Sequence, residues 1–211
     1  MNSPNILSPG ALDLWDVSRD ELNQLLEENP SLRGMLFGYV AELKLTQLLN
    51  SIPEITSSMK FDNHDRSKKY DRFIEYRGHS FRIESKSLQT NSIRYIQPDS
   101  PEQRGHYQGK TQVDASDRRN VALPNGETLA TTCLLVGDFD LLAVNLFAFE
   151  NKWRFAFAKN NELPRSNYKK YTSYQRQYLL ATLVTVTWPP RPPLYEDPLP
   201  LLDEIFLERT T

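Results

Sequence analysis

The sequence predicts a protein of the mixed α and β class. Three observations support this prediction: helix-forming patterns near both ends of the chain, strand-like alternation from residue 70 onward, and a largely apolar run of strand length in the second half. The chain has 211 residues, of which 39% are hydrophobic and 25% charged, as is typical of globular proteins. A chain of this length can bury a core without disulfides or structural metals.

Two helices are expected near the N-terminus. Ser18-Arg-Asp-Glu21 is a capping-box pattern that opens a short helix, which Pro30 closes. A second helix is expected over residues 31–50. It has apolar residues on most of its sides, so we expect it to be largely buried. Two further helices are expected over residues 174–180 and 199–207.

From residue 70 the hydrophobic period changes to two. Residues 71–76 and 80–87 are predicted to form a hairpin around Arg77-Gly78. Further strands are expected over residues 132–136, 139–147, 152–158 and 183–188. Residues 89–128 are polar and rich in proline and glycine, but a structureless loop of that length is unlikely in a compact domain. We expect part of the segment to order on a ligand or to form short helices, with residues 112–119 the best helix candidate.

The domain organisation is expected to be simple. We expect a single domain over residues 1–211, with an N-terminal helical extension over residues 1–30 and a core over residues 31–188. Residues 189–211 are expected to form a proline-rich arm and the terminal helix. The run from Trp188 to Pro193 contains four prolines, which predicts a stiff, extended segment.

The hairpin register brings two carboxylates together. A two-residue turn at Arg77-Gly78 places Asp71 directly opposite Glu84, on the same face, with Cβ atoms about 4.5–5.5 Å apart. Lys86 lies one pleat further along on that face. A four-residue loop preserves this register and a three-residue loop breaks it. The opposite face collects apolar side chains: Ile74, Tyr76, Phe81 and Ile83.

Two adjacent carboxylates repel each other unless a cation lies between them or one is protonated. Their oxygens are ligands that suit Mg²⁺, which binds through one or two carboxylates and keeps several waters. A lysine beside them can hold or help deprotonate an attacking water and stabilise a phosphate oxyanion. The face of Asp71, Glu84 and Lys86 is therefore a candidate site for phosphodiester hydrolysis. The alternative is an ordinary charged strand face exposed to solvent.

Glu42 is a further candidate, on the second predicted helix. It shares a helical stripe with Met35, Tyr39, Leu45 and Leu49, which we expect to be buried, and a buried acid needs a partner. The alternative is a glutamate that extends past the edge of the core into solvent.

The order of these residues resembles the PD-(D/E)xK nuclease superfamily, which has the restriction-endonuclease-like fold. The likeness consists of a helix with Glu42, Asp71 on a strand, and Glu84-Ser-Lys86 on the next strand. Tyr70 stands where the superfamily pattern has a proline. Downstream segments are similar to bacterial restriction-type proteins: Phe139-Asp-Leu-Leu-Ala-Val144, Lys152-Trp-Arg-Phe155 and Glu162-Leu-Pro164. The likeness covers about residues 34–188.

The resemblance implies an α/β (α+β) fold with a central mixed β-sheet flanked by helices. It implies that Asp71, Glu84 and the Ser85 carbonyl bind Mg²⁺, for which Mn²⁺ can substitute. Lys86 would position the nucleophilic water, and Glu42 would support the metal or its water shell. Asp62 or Asp65, in the acid-rich segment before the hairpin, could replace Asp71.

The charge distribution fits a polyanionic partner. The net charge is −2, but the two ends carry −5 and −4, whereas residues 60–195 carry +7. Arg118 and Arg119 are candidate phosphate clamps, and Gln112 could read a base edge or reach the site. Arg94, Arg104, Tyr95 and Tyr107 fall in a possible DNA-reading loop. The full set of predicted DNA-binding residues is Lys69, Arg72, Lys110, Gln112, Arg118 and Arg119. Taken singly, each is equally compatible with a solvated surface residue.

These patterns favour a Mg²⁺-dependent endonuclease of the type II restriction kind. Its partner would be double-stranded DNA, and cutting both strands of a palindrome suggests a homodimer. Alternatives are a repair, junction-resolving or transposition nuclease of the same fold, and an inert nucleic-acid-binding module. The chain has no methyltransferase motif, so such a partner would be a separate protein. The single cysteine, the absence of a leader pattern and the lack of a membrane-length apolar run predict a cytoplasmic protein.

Overall fold

The computed structural model describes residues 10–60, 70–98 and 105–210. The chain separates into two compact units, residues 1–40 and 41–211. The first contains helices α1 (Ala11–Leu14) and α2 (Arg19–Glu28), and helix α3 (Pro30–Asn50) begins there and ends in the second.

The predicted capping box is confirmed. The Ser18 hydroxyl accepts a hydrogen bond from the Glu21 amide at 3.2 Å, and the Glu21 carboxylate accepts one from the Ser18 amide at 2.8 Å. The C-cap of α2 is Asn29, and Pro30 is the first residue of α3, a position where the missing amide hydrogen does no harm.

The second unit is built mainly from strands. These are β1 (Ile55–Lys60), β2 (Arg72–Tyr76), β3 (His79–Ser87), β4 (Arg94–Ile96), β5 (His106–Gln112), β6 (Asp114–Ala122), β7 (Thr128–Cys133), β8 (Leu141–Asn145), β9 (Phe155–Lys159) and β10 (Leu183–Trp188). Its other helices are α4 (Phe147–Glu150), α5 (Ser173–Tyr178) and α6 (Leu199–Thr210).

The main sheet has five strands in the order β1-β2-β3-β8-β9. Its neighbours are antiparallel except β3 and β8, which are parallel. A second, antiparallel sheet has the order β10-β5-β4, and β6 pairs with β7 in a two-stranded ribbon. The predicted fold class, a central mixed sheet with flanking helices, is therefore confirmed.

Each face of the main sheet is covered by a hydrophobic core, so every residue of its strand β8 is buried. One core contains Leu141 and Ala143 together with Leu45 of α3 and Leu202 of α6, and we call this face the helix side. The other contains Leu142 and Val144 together with Val184 and Val186 of β10, and we call it the strand side. The two faces thus carry different partners along one alternating strand.

Helix α3 is less buried than predicted. Its buried residues are Ala41, Leu45 and Leu49, whose spacing of four presents one narrow face to the helix-side core. Met35 and Tyr39 are 62% and 49% exposed, so the expectation that they continue this buried stripe is wrong.

The hairpin forms as predicted. Strands β2 and β3 pair with Tyr76 opposite His79 and Arg72 opposite Ile83. Arg77 and Gly78 have φ angles of 50° and 75°, and positive values at both positions are what a two-residue type I′ turn requires. The predicted pairing of Asp71 directly opposite Glu84 is not part of this ladder: β2 begins at Arg72, and the Asp71 amide donates out of register to the Ile83 carbonyl at 3.1 Å.

The described part of residues 89–128 forms mainly strands rather than the short helices predicted. Residues 112–119, expected to be helical, instead end β5 and begin β6. Strand β5 pairs with β10, more than 70 residues later, and such a distant partner leaves little local signal in the sequence. Strand β6 pairs with the next strand, β7, in a local hairpin that the sequence analysis missed.

The C-terminal elements largely follow the prediction. Strand β10 has the predicted bounds, and helices α5 and α6 lie at the predicted positions. The proline-rich segment does not project as an extended arm: Leu194 is buried, and Tyr195 exchanges two backbone hydrogen bonds with Phe157. None of the helices that the structure describes has the length and hydrophobicity needed for a bilayer crossing.

Candidate functional site

The structure brings Asp71, Glu84 and Lys86 together on the strand side of the main sheet. Glu84 and Lys86 lie beside Leu142 and Val144, which belong to the strand-side core. The Lys86 Nζ is 2.6 Å from Glu84 Oε1, and Asp71 Oδ2 accepts a hydrogen bond from the Ser85 amide at 2.8 Å. We call Asp71, Glu84 and Lys86 the hairpin cluster.

Glu84 is a buried carboxylate with a raised pKa. It is 5% exposed, and this burial raises its pKa to about 7, against the opposing charge of Lys86. The charge of Asp71 raises the pKa further, and that of Arg119 lowers it. Burial alone would lower the pKa of Lys86, but the negative charges of Glu84, Asp71 and Asp114 outweigh it, and the pKa is raised. Among the described residues, the positive charges near Glu84 therefore do not offset the effect of its burial.

The donor set of the cluster fits a hard divalent cation. Two carboxylates and a carbonyl supply only oxygen ligands, and Mg²⁺ is bound in proteins through one or two carboxylates while it keeps several waters. Across residues 10–60, 70–98 and 105–210, no three or more His, Cys, Asp or Glu side chains converge as they would around a fully protein-ligated metal. Asp71, Glu84 and the Ser85 carbonyl are thus compatible with Mg²⁺, whose binding stays a prediction.

Glu42 and Arg72 lie on the other side of the sheet. Arg72 is opposite Ile83 and only 4% exposed, and it donates to Ser58 Oγ at 2.6 Å and to Thr46 Oγ1 at 2.5 Å. Burial lowers the pKa of Arg72, against the charges of Glu42 and Asp71.

The placement of Arg72 and Glu42 differs from that of the other predicted site residues. Glu42 forms an ion pair with Lys60. Arg72, predicted to bind DNA, is thus an interior group in this structure and presents no surface to a nucleic acid. Glu42 is near Arg72 rather than on the face that carries Lys86.

Arg118 and Arg119 have different surroundings. Arg118 is exposed, and its Nε and Nη2 both donate to the Ala130 carbonyl, at 3.2 and 3.1 Å. Arg119 donates from Nη2 to Asp138 Oδ2 at 2.9 Å, and its charge acts on Glu84. Its buried Nε has no hydrogen-bond partner among the described residues. The structure therefore brings Arg119, but not Arg118, to the hairpin cluster.

Two acidic residues near the cluster were not predicted to belong to it. Asp138 holds Arg119 and also accepts a hydrogen bond from the Leu135 amide at 2.9 Å. Asp114 accepts from Gln112 Nε2 at 3.0 Å and is one of the carboxylates that raise the pKa of Lys86. Asp138 follows Gly137, which is typical of a turn, and this local pattern gives no indication of a distant arginine.

Two of the remaining predicted DNA-binding residues lie on the second sheet. Lys110 and Gln112 are exposed on β5, and Gln112 Oε1 accepts from Gln89 Nε2 at 3.1 Å. Lys69, predicted to bind DNA, lies outside the described residues, as do Asp62, Asp65 and Arg104.

Comparison with known proteins gives little guidance. No protein-family model matches the sequence, and no curated protein matches it either. A solved structure of a bacterial homing endonuclease, I-Ssp6803I, is similar with a TM-score of 0.36 and 16% sequence identity, over 69% of this chain and 87% of that one. A likeness at this level carries no argument about what this chain does.

Proposed function

We propose that this protein is a Mg²⁺-dependent endonuclease that hydrolyses phosphodiester bonds in double-stranded DNA, of the type II restriction kind. The observation that carries the proposal is the buried Glu84 carboxylate, which shares the hairpin cluster with Asp71 and forms an ion pair with Lys86 at 2.6 Å. The resemblance of Glu84-Ser-Lys86 and its preceding acids to the PD-(D/E)xK pattern supports the same activity.

In this proposal Asp71, Glu84 and the Ser85 carbonyl hold the metal ion. Mg²⁺, when bound, would supply positive charge at the scissile phosphate and make a nearby water more acidic. Lys86 donates hydrogen bonds from its ammonium group to the attacking water or to a phosphate oxygen. Because negative charge on those oxygens grows in the transition state, a fixed ammonium stabilises the transition state more than the bound substrate.

Arg119 is the proposed phosphate clamp beside the cluster. Asp138 fixes one end of its guanidinium through Nη2, and the Arg119 side chain is still 28% exposed, which leaves part of the guanidinium open to a phosphate oxygen. Glu42, which lies on the other side of the sheet and pairs with Lys60, takes no part in this site. Lys110 and Gln112 would contact the DNA next to the site.

The biological setting is also proposed. Cutting both strands at a two-fold symmetric sequence requires two copies of a site, which favours a homodimer. A protective methyltransferase would be a separate chain. The single cysteine and the DNA substrate are both compatible with the cytoplasm, which we propose as its location.

The test is cleavage of plasmid and bacteriophage DNA in Mg²⁺, with EDTA as the metal-free control. We expect Lys86→Ala to reduce cleavage on the order of 10³-fold, because it removes the only cation of the hairpin cluster. Lys44→Ala, which removes a cation from α3, is the matched control and should cleave like the wild type.

Three results separate the alternatives. Discrete fragments from mixed-sequence DNA support the restriction role, whereas cutting confined to junctions or damaged duplexes supports a repair or resolving role. Equal activity of wild type and Lys86→Ala, or no cleavage of a broad DNA panel by the wild type, contradicts the proposed hydrolysis.

A further inference from the structure

The second sheet has one buried face and one free face. On the buried face Gly109, Thr111, Val184 and Val186 are inaccessible to solvent, and a Cβ at Gly109 would lie 3.2 Å from the Phe149 ring. The intervening residues of each strand point the other way. The register pairs Lys110 with Thr185, Gln108 with Thr187, and Arg94 with Gln108, so these side chains share one outer face.

The outer face carries no acidic side chain. The structure describes every residue of β4, β5 and β10, and no outer position of these strands is Asp or Glu. Two outer positions are cationic, Arg94 and Lys110. Four are amides or threonines, and the remaining three are Ile96, His106 and Leu183. Cations attract phosphates, and amides and hydroxyls hydrogen-bond to base edges. The face is therefore complementary in charge and in hydrogen bonding to a nucleic acid.

We propose that duplex DNA lies on this outer face, with Arg94 and Lys110 on phosphates and Gln108, Thr185 and Thr187 on base edges. The inference rests on the proposed hydrolysis of DNA and identifies the surface that would read the substrate. The DNA-reading element is then a sheet rather than the loop that the sequence predicts.

The outer face continues into the hairpin cluster. The Gln89 amide donates to the Lys110 carbonyl at 2.8 Å, and Thr111 Oγ1 donates to the Ser87 carbonyl at 3.0 Å. Ser87 follows Lys86 by one residue, so these bonds fix the second sheet to the end of β3. At that end of β5 the outer-face residue Gln112 donates to Asp114 Oδ2 at 3.0 Å, and the charge of Asp114 acts on Lys86. A duplex on the outer face would thus approach the cluster beside Gln112.

The dimensions and donors suit the major groove of DNA. The proposed base-reading residues lie on the paired strands β5 and β10, and the major groove admits a two-stranded β-ribbon, with Arg94 of β4 left for a phosphate at its edge. The Arg94 Nε donates to Gln108 Oε1 at 3.2 Å. The amide N–H groups of Gln108 have no hydrogen-bond partner among the described residues and can donate to a base. Purine N7 and O6 and thymine O4 are acceptors there. The major groove of duplex RNA is too narrow for side chains to read, which favours DNA.

The experiment measures equilibrium binding by fluorescence anisotropy, in EDTA and at several salt concentrations. The probe is a pool of random-sequence 30-base-pair duplex DNA, and a duplex RNA of equal length is the comparison. Lys110→Ala should weaken DNA binding about tenfold for all sequences and reduce the slope of log affinity against log salt by about one. Gln108→Ala should keep the slope but change which sequences the protein selects from the pool.

Two further variants protect this interpretation. Thr185→Glu puts a carboxylate opposite Lys110 at an exposed position and should weaken binding at least as much as Lys110→Ala. Lys44→Ala removes a cation from α3, on the helix side of the main sheet, and should bind like the wild type. Each variant is first checked for an unchanged thermal unfolding midpoint.

The proposal is overturned if the wild type does not bind duplex DNA, if it binds duplex RNA more tightly, or if Lys110→Ala and Thr185→Glu bind like the wild type. Cleavage that survives in all outer-face variants would overturn this surface and leave the proposed hydrolysis standing. Binding lost in these variants, with a wild type that cleaves no DNA, would support the surface and contradict the hydrolysis.

Discussion

Two buried carboxylates, Glu84 on strand β3 and Asp140 next to that strand, differ in how many cationic groups contact them. Glu84 and Asp140 are 5% and 8% exposed, so burial is nearly the same. Asp140 accepts hydrogen bonds from the backbone and guanidinium of Arg82 and from Arg209, and these outweigh burial and lower its pKa. Glu84 forms an ion pair with Lys86 alone among the described residues, and burial raises its pKa to about 7. At similar exposure, the carboxylate that contacts more cationic donors is the one whose pKa is lowered.

The largest expected effect tests this difference between Asp140 and Glu84. Asp140→Asn should lower the free energy of unfolding by about 2–3 kcal/mol, because it removes the charge that pairs with Arg82 and Arg209 and puts amide donors against guanidinium donors. Glu84→Gln should change it by less than about 1 kcal/mol, or raise it, because it removes a poorly neutralised buried charge. Urea denaturation in EDTA at pH 7 measures both.

The pH dependence is the control for the Asp140 interpretation. The folded pKa of Asp140 is below the unfolded value of about 3.9, so its charge contributes stability above that pH. The contribution is lost as pH falls through the folded pKa. The difference between wild type and Asp140→Asn should therefore be full at pH 7 and shrink below about pH 4. A difference that is constant down to pH 3 would contradict a role for the charge.

The next effect tests which arginine acts on the hairpin cluster from beside it. Arg119→Ala should lower kcat/KM about 30-fold, because the charge of Arg119 acts at Glu84 and its side chain is 28% exposed beside the cluster. Arg118→Ala should lower it less than about threefold, because two donors of Arg118 are already bonded to the Ala130 carbonyl. Steady-state cleavage of a short duplex measures both values.

Arg119→Lys keeps the charge and should recover part of the lost kcat/KM, which loss of packing alone would not explain. Equal losses in the alanine variants at positions 118 and 119 would contradict the assignment of Arg119 to the cluster.

The contrast between local and distant contacts also explains what the sequence could predict. The hairpin and its register follow from local signals, which are the turn residues and the hydrophobic period of two. They place Asp71, the residue before β2, close enough for its charge to act on Glu84. The same register, carried one residue further, puts Arg72 opposite Ile83 on the apolar face. Its burial was therefore predictable, and the prediction that it binds DNA used its charge alone.

The partners of Arg119 and Asp140 were not predictable in this way. Asp138 is 19 residues from Arg119, and Asp140 is 58 residues from Arg82, so no helical or strand period connects them. The same holds for β5, which pairs with β10 more than 70 residues later. Such contacts exist only once the sheets are assembled, which is why the cluster was predicted and its surroundings were not.

The smallest expected effect concerns Lys159, which ends β9 and extends the comparison to a buried cation. It is 6% exposed and lies 2.9, 2.6 and 3.4 Å from Glu162, Glu204 and Glu208. Those glutamates are 35–56% exposed, so they regain water when the lysine is removed. Lys159→Met should therefore lower the free energy of unfolding by only about 1 kcal/mol, and 1 M NaCl should reduce the difference from wild type. A loss above about 3 kcal/mol would mean that buried charge, whatever the exposure of its partners, controls stability here.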